Sequence, residues 1–289
     1  MLAGLQDTWR PWRAQLWLQR VLLAFSEHGL HGVVLQRGLP LGESWQVQIP
    51  PQALLAGRPV LVEVLGDFVG DLLLDRGLIS LPVSVALPAA AAHWRVVEWP
   101  LSEWPDDPIE ALRTIQPDLG LPFGWPQISL DAQPLPGQPL RSLLVAAERS
   151  LVEAWIEVFA TAGLSLDRLV PSQVCVRQAL LASLEACDPD QGVVLLQPEG
   201  TACRLLLWRQ GVPLFERVLA PGGAGLIAAV QRCLAFYRQQ EPALRFGQLW
   251  LSEPLPQAND LAAALDLPLE QLASAPYDSL VLLGLAQAP

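Results

Sequence analysis

The sequence predicts an α/β protein of two domains, and three observations carry that prediction. The chain has 289 residues, a length that ordinarily divides into about two domains. Of these, 52% are hydrophobic, enough to fill a core in each. Apolar runs of strand length open both halves of the chain before helical patterns take over.

In the first half, Arg20–Ser26 and Leu30–Arg37 flank Glu27-His28-Gly29 and predict a β-hairpin. Pro50–Gly57 is a loop or a short helix. Val60–Leu65 and Leu72–Leu74 are expected to be strands, with a turn at Asp75-Arg76-Gly77. Val83–Leu87 is a further apolar strand stopped by Pro88. His93–Trp99 alternates like a strand and is closed by Pro100. From there to Pro139 the chain is rich in proline and acid, with a helix over Pro108–Ile115. Trp104, Phe123, Trp125 and Ile128 need burial, so this stretch is a small loop-rich module and not a linker.

Leu143–Ala146 is a strand, and Glu148–Ala162 is the clearest helix of the chain. Leu151, Trp155, Val158, Phe159 and Ala162 fall on one face of it, and Gly163 supplies the stop. A second helix runs from Ser172, an N-cap, to Ala186. Asp190-Gln191-Gly192 is a turn. Val193–Gln197, Ala202–Arg209 and Val212–Leu219 are three successive strands, with a tight turn at Gln210-Gly211. Pro221-Gly222-Gly223 opens a helix to Gln240, with Leu226, Val230, Cys233, Leu234 and Tyr237 turned inward. Leu249–Ser252 is a short strand and Asp260–Leu265 a short helix. Asp278 caps a last helix ending at Ala286.

Composition excludes several function classes. Lysine is absent, and all 18 basic residues are Arg. A Walker-type phosphate loop and Schiff-base chemistry each need a Lys. The net charge is −11 and the arginines are scattered, which argues against nucleic acid. Cys175, Cys187, Cys203 and Cys233 form no C-x-x-C pair, so neither a zinc site nor a redox motif is signalled. They read as buried small hydrophobes of a chain suited to a reducing cytosol. His28, His31 and His93 make no metal cluster. No stretch is long and apolar enough for a transmembrane helix, and no signal peptide is expected at the N-terminus. Thr8–Arg20 interleaves Trp9, Trp12 and Trp17 with Arg10, Arg13 and Arg20. Such a segment suits a membrane surface, or an amphipathic helix packed on its own domain or on a partner.

The order of local phrases resembles the PilM family, actin-like cytoplasmic proteins of type IV pilus assembly, with the GspL-type cytoplasmic domains close behind. Five stretches carry the likeness. Val83-Ser-Val-Ala-Leu-Pro88 precedes Arg95-Val-Val-Glu-Trp-Pro100. Leu121-Pro122-Phe123 is followed by Asp131. Leu144-Val-Ala-Ala147 leads to a helix ending Ala162-Gly163-Leu164. Pro213-Leu-Phe215 with Arg217 precedes Gly222-Gly223 and Phe236-Tyr237. Gly284-Leu285-Ala286 closes the series. The resemblance spans about Arg20 to Ala286. It implies a two-domain actin-like (ribonuclease H-like) α/β fold with an inserted subdomain in the first domain. The expected division is an N-terminal extension at 1–19, a first domain at 20–82 and 167–189, the insertion at 83–166 and a second domain at 190–289.

The resemblance also implies a nucleotide site. Actin-like sites use two hairpins with Asp carboxylates for Mg²⁺, backbone amides for phosphates, and a Gly-Gly turn against adenosine. Here the first hairpin, Phe25–His31, has Ser26 where an Asp is expected and His31 near a Lys position; only Glu27 offers a carboxylate. The second, Leu196–Thr201, has Gln197 and Gly200 in place of Asp-x-Gly, and Pro198 removes an amide. At the third, Ser252-Glu253-Pro254 stands where Gly-Gly is expected. The expectation is a degenerate site with no catalytic residue, no metal and no cofactor. Asp106-Asp107 reads as a solvated turn. Gly222–Gly225 is an anion cradle or a flexible start to a helix. Arg95 and Arg217 are expected to be structural ion-pair donors.

The partner implied by the resemblance is the cytoplasmic N-terminal tail of a PilN-type inner-membrane protein, with other pilus assembly proteins beside it. The candidates for its groove are Trp94, Arg95, Trp99, Phe123 and Trp125, which could equally be local core. The chain is then a cytoplasmic scaffold at the inner face of the membrane, associated with it peripherally through its partner. The alternatives are an active ATP-binding ATPase and a membrane-surface adaptor acting through residues 8–20.

Overall fold

The computed structural model describes residues 19–288, apart from 28, 102, 119, 121, 137, 138, 201, 221 and 222. The segment with Trp9, Trp12 and Trp17 therefore lies outside the described residues, as do His28, Leu121, Thr201, Pro221 and Gly222. The chain divides into two units. One runs to Gln178 and resumes at Pro276; the other is Ala179–Ala275.

The first unit is built on a six-stranded sheet. Strands β1 (Gln19–Phe25) and β2 (Gly29–Gln36) form the predicted hairpin, with Val21 opposite Val34 and Phe25 opposite Leu30. Short strands β3 (Leu39–Pro40) and β4 (Trp45–Gln48) both pair β2. On the other side β1 runs parallel to β7 (Val83–Leu87), which runs parallel to β11 (Leu166–Pro171). Side chains alternate between faces along β1. Val21, Leu23 and Phe25 join one core with helices α1 (Val62–Asp75) and α3 (Arg149–Thr161). Leu22 and Ala24 join another with Leu282 and Leu285 of α7 (Leu280–Gln287). Between β4 and α1 a small hairpin is made by β5 (Leu54–Leu55) and β6 (Arg58–Pro59).

Helix α1 corrects the expectation of strands at Val60–Leu65 and Leu72–Leu74. Its buried residues are Leu65, Gly66, Val69, Gly70 and Leu73, a helical stripe. Glu63, Asp67, Asp71 and Asp75 recur every fourth residue on the exposed side. The consecutive apolar residues imitate buried strands, while the acids carry the true period. Gly66 and Gly70 let α1 approach α3 closely. A Cβ on Gly66 would lie 2.9 Å from the Val158 carbonyl oxygen.

The inserted subdomain is a three-stranded antiparallel sheet in the order β8 (His93–Glu98), β10 (Arg141–Glu148), β9 (Ile128–Leu135). Helix α2 (Pro108–Ile115) covers one face and is capped by Asp107, whose carboxylate accepts from the amides of Ile109 and Glu110. The expected boundaries of the insertion, 83 and 166, are too wide. All five residues of β7 are buried in the middle of the first sheet, and α3 packs on that sheet's core. The insertion proper lies between them.

The second unit opens with α4 (Ser172–Ala186), which begins in the first, and continues as the antiparallel meander β12 (Gln191–Glu199), β13 (Ala202–Arg209), β14 (Val212–Leu219). Gln210 and Gly211 both take positive φ, 51° and 72°, at the tight turn before β14. Helix α5 (Gly223–Gln240) sends Leu226, Val230, Cys233, Leu234 and Tyr237 into the core as predicted. Strands β15 (Arg245–Leu251) and β16 (Leu269–Gln271) extend the sheet in parallel from β12, with α6 (Ala258–Leu265) between them. The sheet order β16-β15-β12-β13-β14 repeats β11-β7-β1-β2-β3 of the first unit. The two units are one plan used twice.

Three further expectations are corrected. The last helix is capped by Ser279, whose Oγ accepts from the Leu282 amide 3.1 Å away, while Asp278 sits at φ 57° just before it. That helix belongs to the first unit and not to the second, because its apolar face completes the core on β1 and β2. Ser172 begins α4 but does not cap it through its side chain: its Oγ is buried without a hydrogen-bond partner among the described residues.

Candidate functional site

Each unit presents one part of the predicted nucleotide positions. In the first unit these lie on the β1–β2 hairpin. Ser26 closes the turn twice, its amide donating to the Gly29 carbonyl at 2.8 Å and its Oγ to the same oxygen at 3.1 Å. The Gly29 amide returns a bond to Ser26 Oγ at 3.1 Å. The Glu27 carboxylate turns away to the β5–β6 hairpin and accepts from the Gly57 amide at 2.6 Å. His31 lies on β2 opposite Ala24, half-buried. Burial lowers its pKa below the ordinary 6.5, with the charge of Asp278 opposing. Asp278 in turn accepts from Ser44 Oγ.

In the second unit the other two positions are neighbours. Strands β12 and β15 run parallel, and the Ser252 amide donates to the Leu196 carbonyl at 3.1 Å. The turn Ser252-Glu253-Pro254 thus lies beside the β12–β13 hairpin. Gln197 is part of β12, directly opposite Arg204 on β13. Gly200 takes φ 58° at the hairpin tip, a conformation that suits glycine. Arg204 on β13, Gln197 on β12 and Ser252 just past β15 form a buried polar row, 2%, 7% and 8% exposed. Gln197 Oε1 and Ser252 Oγ have no hydrogen-bond partner among the described residues.

Arg204 is a site residue that sequence reasoning missed. Its guanidinium pairs with Glu199 at the hairpin tip and lies 3.6 Å from Glu216 on β14. The signal was present: Arg204 is the one charge inside the apolar run Cys203–Trp208. A charge so placed must be paired. Glu253 is exposed at the turn after β15, and its carboxyl is pushed up by desolvation and then by the charge of Glu199. Gln173 was also missed. Beside the C-terminal end of β7, its Nε2 donates to the carbonyls of Ala89 at 2.7 Å and Ala92 at 3.1 Å.

Of the carboxylates on these loops, then, Glu27 is bonded to a backbone amide, Glu199 is paired with an arginine, and Glu253 has its pKa raised. Among the described residues no group of three or more His, Cys, Asp or Glu is arranged to hold a metal.

The groove candidates separate. Trp99 is core: it is 3% exposed, donates from Nε1 to Ser142 Oγ at 2.9 Å, and meets Trp104 edge-on. Of the two readings of Trp99, groove or local core, its burial fits local core; it directly follows β8, two residues after the buried Val97. Phe123 and Trp125 pack on that same cluster while remaining partly exposed. Phe123 lies beside the His93 ring at 5.6 Å, and Arg113 stands over Trp125. Trp94 is half-buried and Arg95 exposed on β8. Arg95 reaches toward Gly120, where a Cβ would sit 3.1 Å from its Nη1. Among the described residues no helix is long and apolar enough to cross a membrane.

No family model matches the chain, and no curated protein matches it in sequence. Solved structures do. A PilM–PilN complex of type IV pilus biogenesis superposes with TM-score 0.74 at 19% identity, over 92% of this chain and 97% of that one. A Bacteroides thetaiotaomicron protein with an actin-like ATPase fold gives 0.59 at 10% identity, over 94% and 96%. The cytoplasmic domain of EpsL, an inner-membrane component of the Vibrio cholerae type II secretion system, gives 0.52 at 15% identity, over 93% of each. The duplicated sheet plan and these likenesses agree with the resemblance read from the sequence: the chain has the two-domain actin-like ATPase fold, and it is similar to PilM over nearly its whole length.

Proposed function

We propose that the chain is a cytoplasmic scaffold of type IV pilus assembly, or of a related secretion or competence machine, which holds the N-terminal tail of a PilN-type inner-membrane protein and does not turn over ATP. The observation that carries the second half is the engagement of the hairpin carboxylates by the protein itself: Glu27 by the Gly57 amide and Glu199 by Arg204. A Mg²⁺–nucleotide needs free anionic ligands on these loops and amides facing the phosphates. Gln197 is neutral, Pro198 has no N–H, and Pro254 stiffens the third turn. These residues do not fit the group.

The first half is supported by the fold likeness to a PilM that is solved with PilN. An extended tail would gain affinity from main-chain bonding along a strand and from apolar pockets. Phe123, Trp125, Trp94 and Arg95 on the inserted subdomain remain candidates for that contact. Membrane association then comes through the partner.

Two measurements test the proposal. Calorimetry with the N-terminal tail peptide of a PilN-type protein should give saturable binding, and its absence counts against the scaffold. Mg–ATP should leave the melting temperature unchanged; a rise of several degrees would restore the ATPase alternative. Co-sedimentation with anionic vesicles, with and without residues 1–18, decides the adaptor alternative.

A further inference from the structure

We propose that the tip of the β5–β6 hairpin is a clasp that fixes the inserted subdomain to the β1–β2 loop, with Gly57 as its central residue and Glu27 as its positioning residue. The inference concerns the first unit alone and holds whatever that unit binds.

Gly57 is tied in opposite directions through its own backbone. Its amide donates to the Glu27 carboxylate at 2.6 Å, a charge-assisted bond to the loop that joins β1 and β2. Its carbonyl accepts from Trp155 Nε1 at 3.0 Å, a buried bond to α3. Trp155 is itself fully buried and meets Phe25 of β1 edge-on at 4.8 Å. The bond is therefore anchored in the sheet core at its far end.

The two connections of the inserted subdomain meet the same tip. The chain enters the subdomain through the 3-10 turn Ala89–Ala91. A Cβ on Gly57 would lie 2.4 Å from the Ala91 nitrogen, so backbone rests on backbone there. The chain leaves through Glu148–Ser150. Arg58 pairs with the Glu148 carboxylate and reaches Ser150 Oγ at 3.3 Å, while Ser150 Oγ donates to Glu148 at 2.7 Å. One residue pair, Gly57-Arg58, thus touches the loop, the way in and the way out. The φ of Gly57, +75°, and the close backbone admit no other residue without displacement.

The consequence is mechanical. The inserted subdomain is joined to the first sheet by two chain crossings, which alone would allow it to rock. The clasp adds a non-covalent tie placed between them, beside the Gln173 bonds to the Ala89 and Ala92 carbonyls and the Arg149 bond to the Ile128 carbonyl. Rocking must stretch the Glu27–Gly57 bond, the Gly57–Trp155 bond or the Arg58–Glu148 pair. Conversely, displacement of the β1–β2 loop must move the subdomain.

Amide hydrogen exchange on the full chain tests this. Glu27→Ala should speed exchange about tenfold or more at the hairpin tip, at residues 88–92 and at residues 148–150, as loss of a charge-assisted bond implies. The second unit should be unchanged. Glu27→Gln keeps an acceptor oxygen and should fall between. Acceleration confined to the hairpin tip overturns the clasp. Should Glu27→Ala not fold, Arg58→Ala removes only a part-exposed side chain. It should speed exchange in the β1–β2 loop and at 88–92 as well as at 148–150, and a change at 148–150 alone overturns the proposal equally.

Discussion

Gly284 offers a test of the packing of the last helix, the element that the sequence places in the wrong unit. A Cβ added to Gly284 would lie 1.7 Å from the Cys175 carbonyl oxygen, 2.4 Å from its carbon and 2.9 Å from its Cα. Carbon and oxygen approach no closer than about 3.3 Å in comfortable contacts, so α7 must withdraw by roughly 1.5 Å. Both sides of the clash are backbone, and no rotamer can relieve it. Withdrawal would loosen Leu282 and Leu285, both fully buried against β1 and β2. Overpacking of this kind costs about 1–3 kcal/mol, and a backbone clash belongs at the upper end. The better helix propensity of Ala returns about 1 kcal/mol. Gly284→Ala should therefore lose about 2 kcal/mol, or about 4–8 °C in melting temperature for a unit of this size.

The matched control is Gly225→Ala in α5, where the added Cβ meets nothing within 4 Å. It should be neutral or stabilising by up to about 1 kcal/mol. Urea titrations followed by far-UV circular dichroism measure both variants, and the midpoints decide. Should the two units give separate transitions, the loss for Gly284→Ala belongs to that of the first unit. If Gly284→Ala is as stable as the parent, α7 does not lie against the Cys175 backbone of α4 as described and the reasoning fails.

Three more outcomes are expected. Arg204→Met leaves Glu199 and Glu216 without their shared cation; with those carboxylates 34% and 20% exposed, the cost in a urea titration should be about 2 kcal/mol, below the full range for breaking a buried pair. His31 has a folded pKa lowered below 6.5 by burial, so the unfolded chain binds the proton more tightly and stability falls as pH drops below 6.5; in His31→Gln the unfolding free energy between pH 7.5 and pH 5 should lose that part of its slope. Native labelling with iodoacetamide at pH 8 should modify Cys187 first, because burial pushes Cys175 up to about 12 and Cys203 to about 11; comparable rates at Cys175 or Cys203, read by mass spectrometry, would contradict their burial.

Much of the fold was open to sequence reasoning wherever one period dominated. The β1–β2 hairpin, the β12–β14 meander, α3 and α5 each carry a single clear pattern, and each forms where expected. Misses occur where two patterns overlap or where none is strong. In α1 consecutive apolar residues hide a helix that the acids at every fourth position reveal. Strand β11 holds Asp167-Arg168 at its centre and pairs only one neighbour, so it lacks the apolar run of a central strand. The return of α7 to the first unit is a fact of long-range packing, which no local pattern encodes. For the site, the missing Asp residues were visible as identities. The partners that engage Glu27 and Glu199 were not, because Gly57 lies 30 positions from Glu27 and the register that sets Arg204 beside Glu199 is not written in a local pattern.

The same geometry explains how an actin-like fold can keep its form while its hairpins carry unrelated side chains. The β12–β13 hairpin is held by its backbone ladder from Val193–Trp208 to Glu199–Ala202 and by a positive φ at Gly200. The β1–β2 turn is held by Ser26 and Gly29 bonding each other. Neither requires an Asp at its tip. Substitution there costs the fold little, provided that each charge left behind finds a partner. Glu199 finds Arg204 within its own hairpin, and Glu27 finds the Gly57 amide. Restoring one Asp, as in Gln197→Asp, would then bury a new anion beside a guanidinium that is already paired and would leave Pro198 and Pro254 in place. It should not create nucleotide binding. On the proposed reading the departures lie on three loops with separate local compensations, so no single reversal should create the site.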